Sequence, residues 1–546
     1  MLITLISHNT ITRIIKMFNK IRFGFCSLNK ELDKFHTTYN IYVIAMITTI
    51  SGMMFGFDVS SISAFISEPS YRRFFNYPNS TTQGAITASM SAGSFLGAIL
   101  SSFVSERIGR RTSLLFCAMF WVLGSIIQSS CRNLGQLIAG RIISGVGVGI
   151  GSAITPIYCS EVSPAPSRGV IGGLFQLAIT FGILVMFYIG YGCTFINGQA
   201  SFKLAWALQM IPGLVLFAGV FILPESPRWL ANNNKWEQAE EVLRRINEKD
   251  KTGRYLIELE ELKESITIHK LSKDIGYLDL FRKKNYKSSI VGISAQIWNQ
   301  LTGMNVMMYY IVYIFEMVGY TGNTVLVSSS IQYVINFGVT LIALPLSDYV
   351  GRRRLMLIGG VLMMTWLFAV GGLFAAYSEK VENVTSDATV VVTIPEKHQN
   401  IGKAIVACSY LFVATFASTW AVCSWCYFSE VLPTRTRSKA GLLAVASDWA
   451  INFAIALFTP SAFRNITWKT YFVFGTFCGA MTVHTFLSYP ETRKKTLEEI
   501  DMTFQNGISP WRSAEFTIQS LDGDLSDSKE NNVTHVEQVE SKSISK

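Results

Sequence analysis

One carboxylate, Asp58, lies inside an apolar stretch that covers residues 41–66. If that stretch crosses a bilayer, an unpaired charge within it costs at least about 2.5–3.5 kcal/mol. Asp58 should therefore be protonated or paired, and Arg141, in another apolar stretch, is the natural partner. Such a pair can take up and release a proton, or it can be a fixed structural ion pair. We favour proton coupling and keep the fixed pair as the alternative.

A group of side-chain amides marks a second candidate site. At about 100° per residue, Gln296, Asn299 and Gln300 share one face of a helix. Asn305 would point roughly half a turn away, so it joins them only if the helix breaks near Gly303, and we predict a break there. Amides donate and accept hydrogen bonds, as sugar hydroxyls do, and cost less inside a bilayer than charges. The competing interpretation is that such polar residues only join helices to one another.

The elements that hold these residues follow from composition. Of the 546 residues, 50% are hydrophobic and only 15% are charged, whereas soluble chains carry about 25% charged residues. Apolar stretches long enough to cross a bilayer as helices, about 20 residues each, recur along the chain. We therefore predict an all-α polytopic membrane protein with twelve transmembrane helices. The predicted spans are 41–66, 83–104, 112–130, 135–158, 170–191, 203–223, 288–318, 324–347, 354–377, 402–428, 440–460 and 468–489.

An internal repeat divides the chain into two halves of six spans. The loop Glu106–Arg111 after span 2 matches Asp348–Arg353 after span 8, and Glu161–Arg168 after span 4 matches Glu430–Arg437 after span 10. Parallel six-span repeats are typical of rocking carriers, which bind their cargo between the halves. The predicted regions are a cytosolic amino arm (1–39), an N-terminal six-helix half (40–223), a cytosolic helical linker (224–287), a C-terminal six-helix half (288–490) and a cytosolic, mostly disordered tail (491–546).

The distribution of basic residues predicts the topology. Lysine and arginine concentrate in the amino arm and in the short loops after spans 2, 8 and 10, so both termini should be cytosolic. Three sequons, at Asn79, Asn383 and Asn465, fall in loops that this topology places outside, and we predict glycosylation there. A fourth sequon, at Asn532, lies in the tail and should remain unmodified.

The sequence argues against several other classes of protein. The net charge of +10 resides in loops and does not predict nucleic-acid binding. No phosphate-binding loop, metal-ligand cluster or nucleophile with a plausible triad is present, so we predict no enzyme, no cofactor and no metal. Alternating glycines in 145–151 lack a strand–helix context and favour close helix packing. Cys423 and Cys426 lie in an apolar stretch without a nearby histidine, which favours packing over redox or metal chemistry.

Short motifs spread over residues 40–500 carry a family resemblance. They are Gly56-Phe57-Asp58, Gly140-Arg141, Pro156-Ile157-Tyr158 with Glu161, Pro224-Glu225-Ser226-Pro227-Arg228-Trp229-Leu230, Gln300-Leu301-Thr302-Gly303-Met304-Asn305 and Pro490-Glu491-Thr492. With these motifs the chain resembles the sugar porter branch of the major facilitator superfamily, and within it the fungal high-affinity glucose transporters. The motif that begins at Pro224 is highly specific.

The resemblance implies three sets of functional residues. The implied sugar site comprises Phe55, Gln176, Asn299, Gln300, Asn305, Tyr309, Asn336, Trp425, Asp448 and Trp449. The implied proton-coupling pair is Asp58 and Arg141. The implied cytosolic gate, which would latch the inner face, comprises Arg107, Arg110, Glu161, Arg168, Arg352, Arg353, Glu430 and Arg437. Topology signalling by positive charge is the alternative for the gate, but topology does not require its acids.

The chain departs from the family pattern at three places. Asn299 replaces the first residue of a glutamine pair, Ala421-Val422 replaces Gly-Pro, and Asp448 replaces an asparagine. Without Gly-Pro, the tenth span should bend less easily. A second acid near the sugar could accept strong hydrogen bonds or titrate itself. These changes leave the preferred sugar open.

The function that the resemblance implies is transport of a monosaccharide, a hexose and most simply glucose, by alternating access at the plasma membrane. We expect a proton symporter that works as a monomer in the lipid bilayer. A facilitative uniporter and a non-transporting sugar-sensing receptor are the alternatives. About 55 residues follow Pro490, and this short tail favours a carrier, because sensors resembling this branch usually carry long cytosolic tails.

Overall fold

The computed structural model describes residues 37–163, 168–248, 254–271, 277–282, 285–381, 389–433, 437–493, 495 and 497–514. Within these residues the chain is almost entirely helical. The exception is a short antiparallel pair of strands, β1 (Glu379–Lys380) and β2 (Val392–Thr393). Residues 1–36 of the amino arm and the predictions for Asn383 and Asn532 lie outside the described residues.

The first half is built from helices that begin at capping residues of the expected type. Asn40, Asn79 and Asn133 each accept a hydrogen bond from a backbone N–H of the first helical turn, which satisfies a group that the helix leaves open. The helices are α1 (Ile41–Ser61), α2 (Pro69–Phe74), α3 (Ser80–Ile108), α4 (Arg110–Ser129), α5 (Leu134–Val162), α6 (Arg168–Cys193), α7 (Ala200–Leu208) and α8 (Met210–Val220).

The region predicted as a linker contains short helices with one apolar face. Trp229 and Leu230 pack with Ala239, Val242 and Ile266 in a small core of their own, separate from the main core. Charged side chains cover the other faces, as expected of amphipathic helices. The elements are α9 (Pro227–Asn232), α10 (Trp236–Ile246), α11 (Arg254–Leu271) and a 3-10 turn (Tyr277–Phe281).

The second half repeats the helical pattern of the first and adds a short helix after its last span. A 3-10 turn, Glu396–His398, leads into the second half's fourth helical stretch. The helices are α12 (Tyr286–Leu301), α13 (Met304–Tyr309), α14 (Ile311–Met317), α15 (Asn323–Val350), α16 (Arg352–Tyr377), α17 (Gln399–Ser418), α18 (Trp420–Val431), α19 (Arg437–Asn465), α20 (Lys469–Ser488) and α21 (Leu497–Gln505).

Each predicted span coincides with one helix or with consecutive helices. Among the described residues, ten helical stretches are long and apolar enough to cross a membrane. The predicted span 288–318 is occupied by α12, α13 and α14, which are interrupted, and the predicted span 468–489 by α20. The prediction of an all-helical membrane fold is thus confirmed, and the number of crossings stays a prediction.

Two spans depart from helical backbone angles near the middle. The predicted break in the seventh span is present, because Gly303 adopts φ +82° between α12 and α13, a conformation that favours glycine. A second break separates α17 from α18 at Thr419, with φ −126° and ψ −83°. The absence of Gly-Pro therefore does not straighten the tenth span.

Close helix contacts fix the two halves internally and against each other. The glycine alternation allows α5 to approach α3, since a Cβ at Gly149 would lie 2.0 Å from the backbone oxygen of Ser94. Between the halves, α3 packs on α19 and α6 packs on α15 and α18. A buried hydrogen bond from Ser91 Oγ to Asn452 Oδ1, 2.7 Å long, joins α3 to α19. A site at the interface between the halves would change shape if the halves moved relative to each other.

Candidate functional site

A cavity lies between the halves, with ≈ 530 Å³ of empty space when the part open to solvent is included. It takes side chains from α1 and α6 of the first half and from α12, α13, α15, α17 and α18 of the second. Seven of the ten residues implied for the sugar site line it. They are Phe55, Gln176, Asn299, Gln300, Asn305, Asn336 and Trp425.

The break at Gly303 brings the amides of the seventh span together. Asn305 Nδ2 donates a short hydrogen bond to Gln300 Oε1, which an unbroken helix would not allow. Asn299 Oδ1 and Asn336 Oδ1 are buried and have no hydrogen-bond partner among the described residues. Buried polar atoms are normally satisfied, so these oxygens call for a donor from a ligand or water in the cavity. The cavity wall thus offers two buried hydrogen-bond acceptors that suit hydroxyl donors.

Three residues implied for the sugar site lie behind the cavity wall instead of lining it. Asp448 Oδ1 accepts a hydrogen bond from Gln300 Nε2 at 2.9 Å. Trp449 lies 4.7 Å from Phe55, ring centroid to ring centroid, and its indole N–H donates to Ser152 Oγ across the interface. The hydroxyl of Tyr309 lies 3.5 Å from Asn452 Oδ1. Of these three side chains, Asp448 and Trp449 contact residues that line the cavity, Gln300 and Phe55.

Sequence reasoning missed Asn452. Its Nδ2 donates to Gln300 Oε1 at 3.3 Å, while its Oδ1 accepts from Ser91 of the other half. Asn452 lies one helical turn after Asp448, so the i, i+4 spacing of two polar residues in an apolar helix was a signal that could have revealed it. Ser91 carries no comparable signal, because serine is common in α3.

The apolar part of the wall was also missed. Met304, Met308 and Phe416 line the cavity beside the amides. Trp425 meets Phe175 edge-on at 5.4 Å, which holds the indole between the halves. In a membrane helix, the sequence does not tell whether an apolar side chain faces the cavity or the lipid. Only the fold identifies the apolar residues of the cavity wall.

The Asp58–Arg141 pair is formed. Arg141 Nη2 donates to Asp58 Oδ1 at 2.9 Å, and the two side chains are 1% and 3% exposed. Arg141 Nη1 also donates to Ser61 Oγ at 3.3 Å. Asp58 Oδ2 has no partner among the described residues. One carboxylate oxygen thus holds the arginine while the other is left open.

The end of the molecule that carries Arg107–Arg111 and Arg352–Arg354 is here called the basic end. In the first half, Arg110 makes two hydrogen bonds to Glu161, from Nε at 3.0 Å and from Nη2 at 3.1 Å. Ser226 Oγ donates to the same carboxylate at 2.5 Å. The acid of the loop after span 4 is therefore held by three donors.

A second acid of the first half, Glu225, binds the turn that starts α4. Its Oε1 accepts from the backbone N–H groups of Arg110 at 2.9 Å and Arg111 at 3.2 Å. Burial raises the pKa of Glu225 above its usual value, and the N–H donors of Ser226 and Arg111 oppose that rise. The side chain of Arg111 donates to the last carbonyls of the sixth span, those of Val220 and Phe221.

The second half repeats this arrangement. Arg352 Nη2 donates to Glu430 at 3.2 Å. Glu491 Oε1 accepts from the backbone N–H of Arg352 at 3.0 Å. Arg353, expected to pair with the loop acids, donates instead to the carbonyls of Tyr489 and Phe486 and so corresponds to Arg111.

Some predicted gate and glycosylation residues can be placed only in part. The side chains of Arg168 and Arg437 lie outside the described residues, although their backbones begin α6 and α19. Asn79 and Asn465 are exposed at the end opposite the basic end. Among the described residues, no group of three His, Cys, Asp or Glu could hold a metal.

Comparison with known proteins identifies the family. A family model described as "Sugar (and other) transporter" matches residues 44–504. The chain is 51% identical over 489 residues to the high-affinity glucose transporter of Kluyveromyces lactis, covering 89% of both chains. It is also 51% identical to high-affinity glucose transporter 1 of Candida albicans, covering 89% of this chain and 90% of that protein.

A solved structure confirms the fold. The proton:xylose symporter XylE bound to 6-bromo-6-deoxy-D-glucose superposes with a TM-score of 0.73 at 27% identity, covering 85% of this chain and 98% of that one. Both kinds of relative are transporters and not enzymes. The chain therefore belongs to the sugar transporter family, with the all-helical fold of the major facilitator superfamily, and is a multi-pass membrane protein.

Proposed function

We propose that this protein carries a monosaccharide, a hexose and specifically glucose, across the plasma membrane by alternating access. One observation supports this above all others. The cavity between the halves is lined by five amide side chains and three aromatic rings, and the described residues of its wall include no charged side chain. Amides match sugar hydroxyls, and aromatic faces match the C–H face of a pyranose.

The chemistry of the wall agrees with the names of the relatives. The unpartnered oxygens of Asn299 and Asn336 would accept from sugar hydroxyls. Two relatives at 51% identity are named glucose transporters, and the structural relative holds a glucose derivative. Glucose is therefore the first substrate to test.

Uptake of labelled glucose into cells that lack their own hexose carriers tests this proposal. Asn336→Ala should weaken apparent affinity about tenfold, since it removes a hydrogen bond to the sugar. Asn323→Ala is the matched control, because Asn323 lies at the start of the same helix, away from the cavity, where it bonds to Tyr191. Absence of uptake by wild-type protein at the cell surface would overturn the proposal and favour a receptor.

We propose further that Asp58 and Arg141 couple sugar entry to a proton. Protonation of Asp58 would release Arg141, sugar would bind and the halves would rock; loss of the proton inside would restore the pair. A proton falling through about 100 mV and one pH unit supplies roughly 3.7 kcal/mol. The open oxygen Asp58 Oδ2 is the atom available to receive it.

Sugar-induced alkalinisation of the medium tests the coupling. Wild-type protein should alkalinise the medium when glucose is added, and Asp58→Asn should not. Asp448→Asn is the control for the second buried acid near the cavity and should keep the proton signal. Glucose uptake without any alkalinisation by wild type would identify a facilitative uniporter with a fixed ion pair.

We propose the predicted topology as the frame for this cycle. Twelve spans in two halves, joined by the 224–287 linker, would place the basic end and both termini in the cytosol. The gate residues would latch that end through the Glu161 and Glu430 clusters, with Arg107, Arg168 and Arg437 as further members. Glycans at Asn79, Asn383 and Asn465 would mark the outside, and a mobility shift on deglycosylation, lost in Asn→Gln variants, tests this assignment.

A further inference from the structure

A continuous hydrogen-bonded chain runs behind the cavity from one half to the other. Asp448 Oδ1 accepts from Gln300 Nε2 at 2.9 Å. Gln300 Oε1 accepts from Asn452 Nδ2 at 3.3 Å and from Asn305 Nδ2. Asn452 Oδ1 accepts from Ser91 Oγ at 2.7 Å. The chain therefore starts at an acid of the second half and ends at a hydroxyl of the first.

The acid determines the direction of this chain. While Asp448 is ionised, its carboxylate accepts hydrogen bonds and donates none, so Gln300 must turn its Nε2 toward it. Its Oε1 then faces Asn305 and Asn452, each of which must present its own Nδ2. Asn452 Oδ1 in turn needs donors, and it has the hydroxyl of Ser91 and, at 3.5 Å, that of Tyr309. Each amide orientation follows from the one before it.

Asp448 acts on the cavity through Gln300. Asp448 and Asn452 are fully buried. Gln300 is the one donor to Asp448 among the described residues, and Asp448 Oδ2 has no partner there. Asp448 does not line the cavity, whereas Gln300 and Asn305 do.

We propose that Asp448 is a positioning residue that fixes the donor–acceptor direction of the sugar site, and that Ser91 anchors the far end of that direction in the other half. This inference rests on the proposed sugar transport. Its consequence lies at Asn305. Because Nδ2 of Asn305 turns toward Gln300, its Oδ1 lies on the other side of the amide, and a sugar hydroxyl that meets this oxygen must donate.

An asparagine at position 448 would no longer fix which atom of the Gln300 amide, nitrogen or oxygen, faces position 448. It could present either its oxygen or its nitrogen to Gln300, so Gln300, Asn305 and Asn452 could all reverse. The hydroxyls of Ser91 and Tyr309 rotate and accept as well as donate, so the reversed chain would also be satisfied. The site would then accept either a donor or an acceptor where Asn305 meets the sugar.

Fluorinated sugars read this direction, because fluorine accepts weakly and does not donate. The experiment is inhibition of labelled glucose uptake by glucose analogues in which one hydroxyl at a time is replaced by hydrogen or fluorine. In wild type, both replacements should inhibit about tenfold less well than glucose at the ring position that meets Asn305, since the donated hydrogen bond is lost. Asp448→Asn should reduce the penalty for the fluoro analogue at that position to about threefold or less, and leave the other positions unchanged.

Two further variants test the chain at its far end. Ser91→Ala removes one donor to Asn452 but leaves Asp448 and the hydroxyl of Tyr309 in place, so it should relax the same ring position less than Asp448→Asn does. Ser91→Thr keeps the hydroxyl and should preserve the wild-type pattern. Because Ser91 lies in the other half, these variants decide the matter even if Asp448→Asn fails to reach the cell surface.

The outcomes separate this inference from the proposed function. If Asp448→Asn or Ser91→Ala weakens glucose and all analogues by the same factor, the residues are structural and the inference is wrong. If wild type transports glucose but shows no ring position that requires a donor, the inference is also wrong while the carrier stands. If wild type at the cell surface takes up no sugar, the proposed function itself fails.

Discussion

The two halves have the same arrangement of hydrogen bonds at the basic end, but their loop acids differ in exposure to solvent. In both, a glycine with positive φ precedes the arginines, at Gly109 (φ +94°) and Gly351 (φ +106°). In both, an acid after the last span of the half accepts from the backbone N–H groups of that turn: Glu225 in the first half and Glu491 in the second. The repeat seen in the sequence is therefore a repeat of hydrogen bonds.

The difference lies in the acid of the loop after the fourth span of each half. Glu161 is 7% exposed and binds both nitrogens of the Arg110 fork, with Ser226 as a third donor. Glu430 is 26% exposed, and among the described residues it accepts from Arg352 at 3.2 Å. Solvent weakens exposed ion pairs more than buried ones. We therefore expect the Glu161 cluster to contribute more to stability than the Glu430 cluster.

The largest effect that would test this difference is expected from alanine at the two glycines. A Cβ at Gly109 would lie 2.2 Å from Glu225 Oε2, and one at Gly351 would lie 2.7 Å from Glu491 Oε2. Backbone strain adds about 1–3 kcal/mol at each. Both variants should lose surface protein and melt at lower temperature, Gly109→Ala more severely. Gly172→Ala, where a Cβ meets open space, is the control, and equal loss in all three variants would contradict the expectation.

Neutralising the loop acids should have the next largest effect. Glu161→Gln leaves the Arg110 guanidinium without its charged partner in a mostly buried place, and should cost about 2 kcal/mol of unfolding free energy. Glu430→Gln should cost less than about 1 kcal/mol, since that pair is more exposed. Thermal unfolding of the purified variants compares them. Equal costs would show that the two clusters are equivalent.

Ser226 and Thr492, which follow Glu225 and Glu491, allow a sharper comparison between the two halves. Ser226→Ala removes the donor to Glu161 and the cap of α9, where Ser226 Oγ accepts from Trp229 N, at a cost of about 1 kcal/mol. The corresponding Thr492 Oγ1 is buried without a partner among the described residues, so Thr492→Val should be neutral or stabilising. Melting temperatures of the two variants should move in different directions or by clearly different amounts. A loss in Thr492→Val as large as in Ser226→Ala would refute this expectation.

The smallest effect concerns a contact that strengthens the second half through the tail. Ser513 Oγ accepts from the backbone N–H of Glu491 at 2.8 Å. Ser513→Ala should cost about 0.5–1 kcal/mol of stability, the usual value of one hydrogen bond. Ser509→Ala is the control on the same segment, because the bond that Ser509 accepts from Arg512 uses its backbone oxygen. A melting temperature unchanged by Ser513→Ala would show that the tail does not support the gate.

Local sequence signals predicted the features that one segment determines by itself. The break at Gly303 follows from a glycine beside an amide that a regular helix would misplace. The Asp58–Arg141 pair follows from the cost of an unpaired charge in an apolar helix. Seven of the ten implied sugar-site residues line the cavity, because polar amides in membrane helices face protein and not lipid.

Features that depend on two segments were not predicted. Asp448 was expected to touch the sugar; the packing of α19 places it against Gln300, and its contact with the sugar stays a prediction. Asn452 shows its role only once Ser91 of the other half is beside it. Arg353 was expected to bind the loop acids, but the end of α20 offers it two carbonyls that are closer. In each case the decisive partner is distant in sequence.

The bend at Thr419 determines how the tenth span can change during evolution. It contains neither glycine nor proline, so the neighbouring helix α16 holds it: Gly359 allows the close approach of Thr419, and Trp420 donates to the backbone oxygen of Met356. A bend made by proline depends on a residue of the bent segment itself. The bend at Thr419 depends on α16 instead. A substitution at Gly359 can therefore reshape the tenth span, and the cavity wall that Phe416 and Trp425 form, without altering any residue of that span.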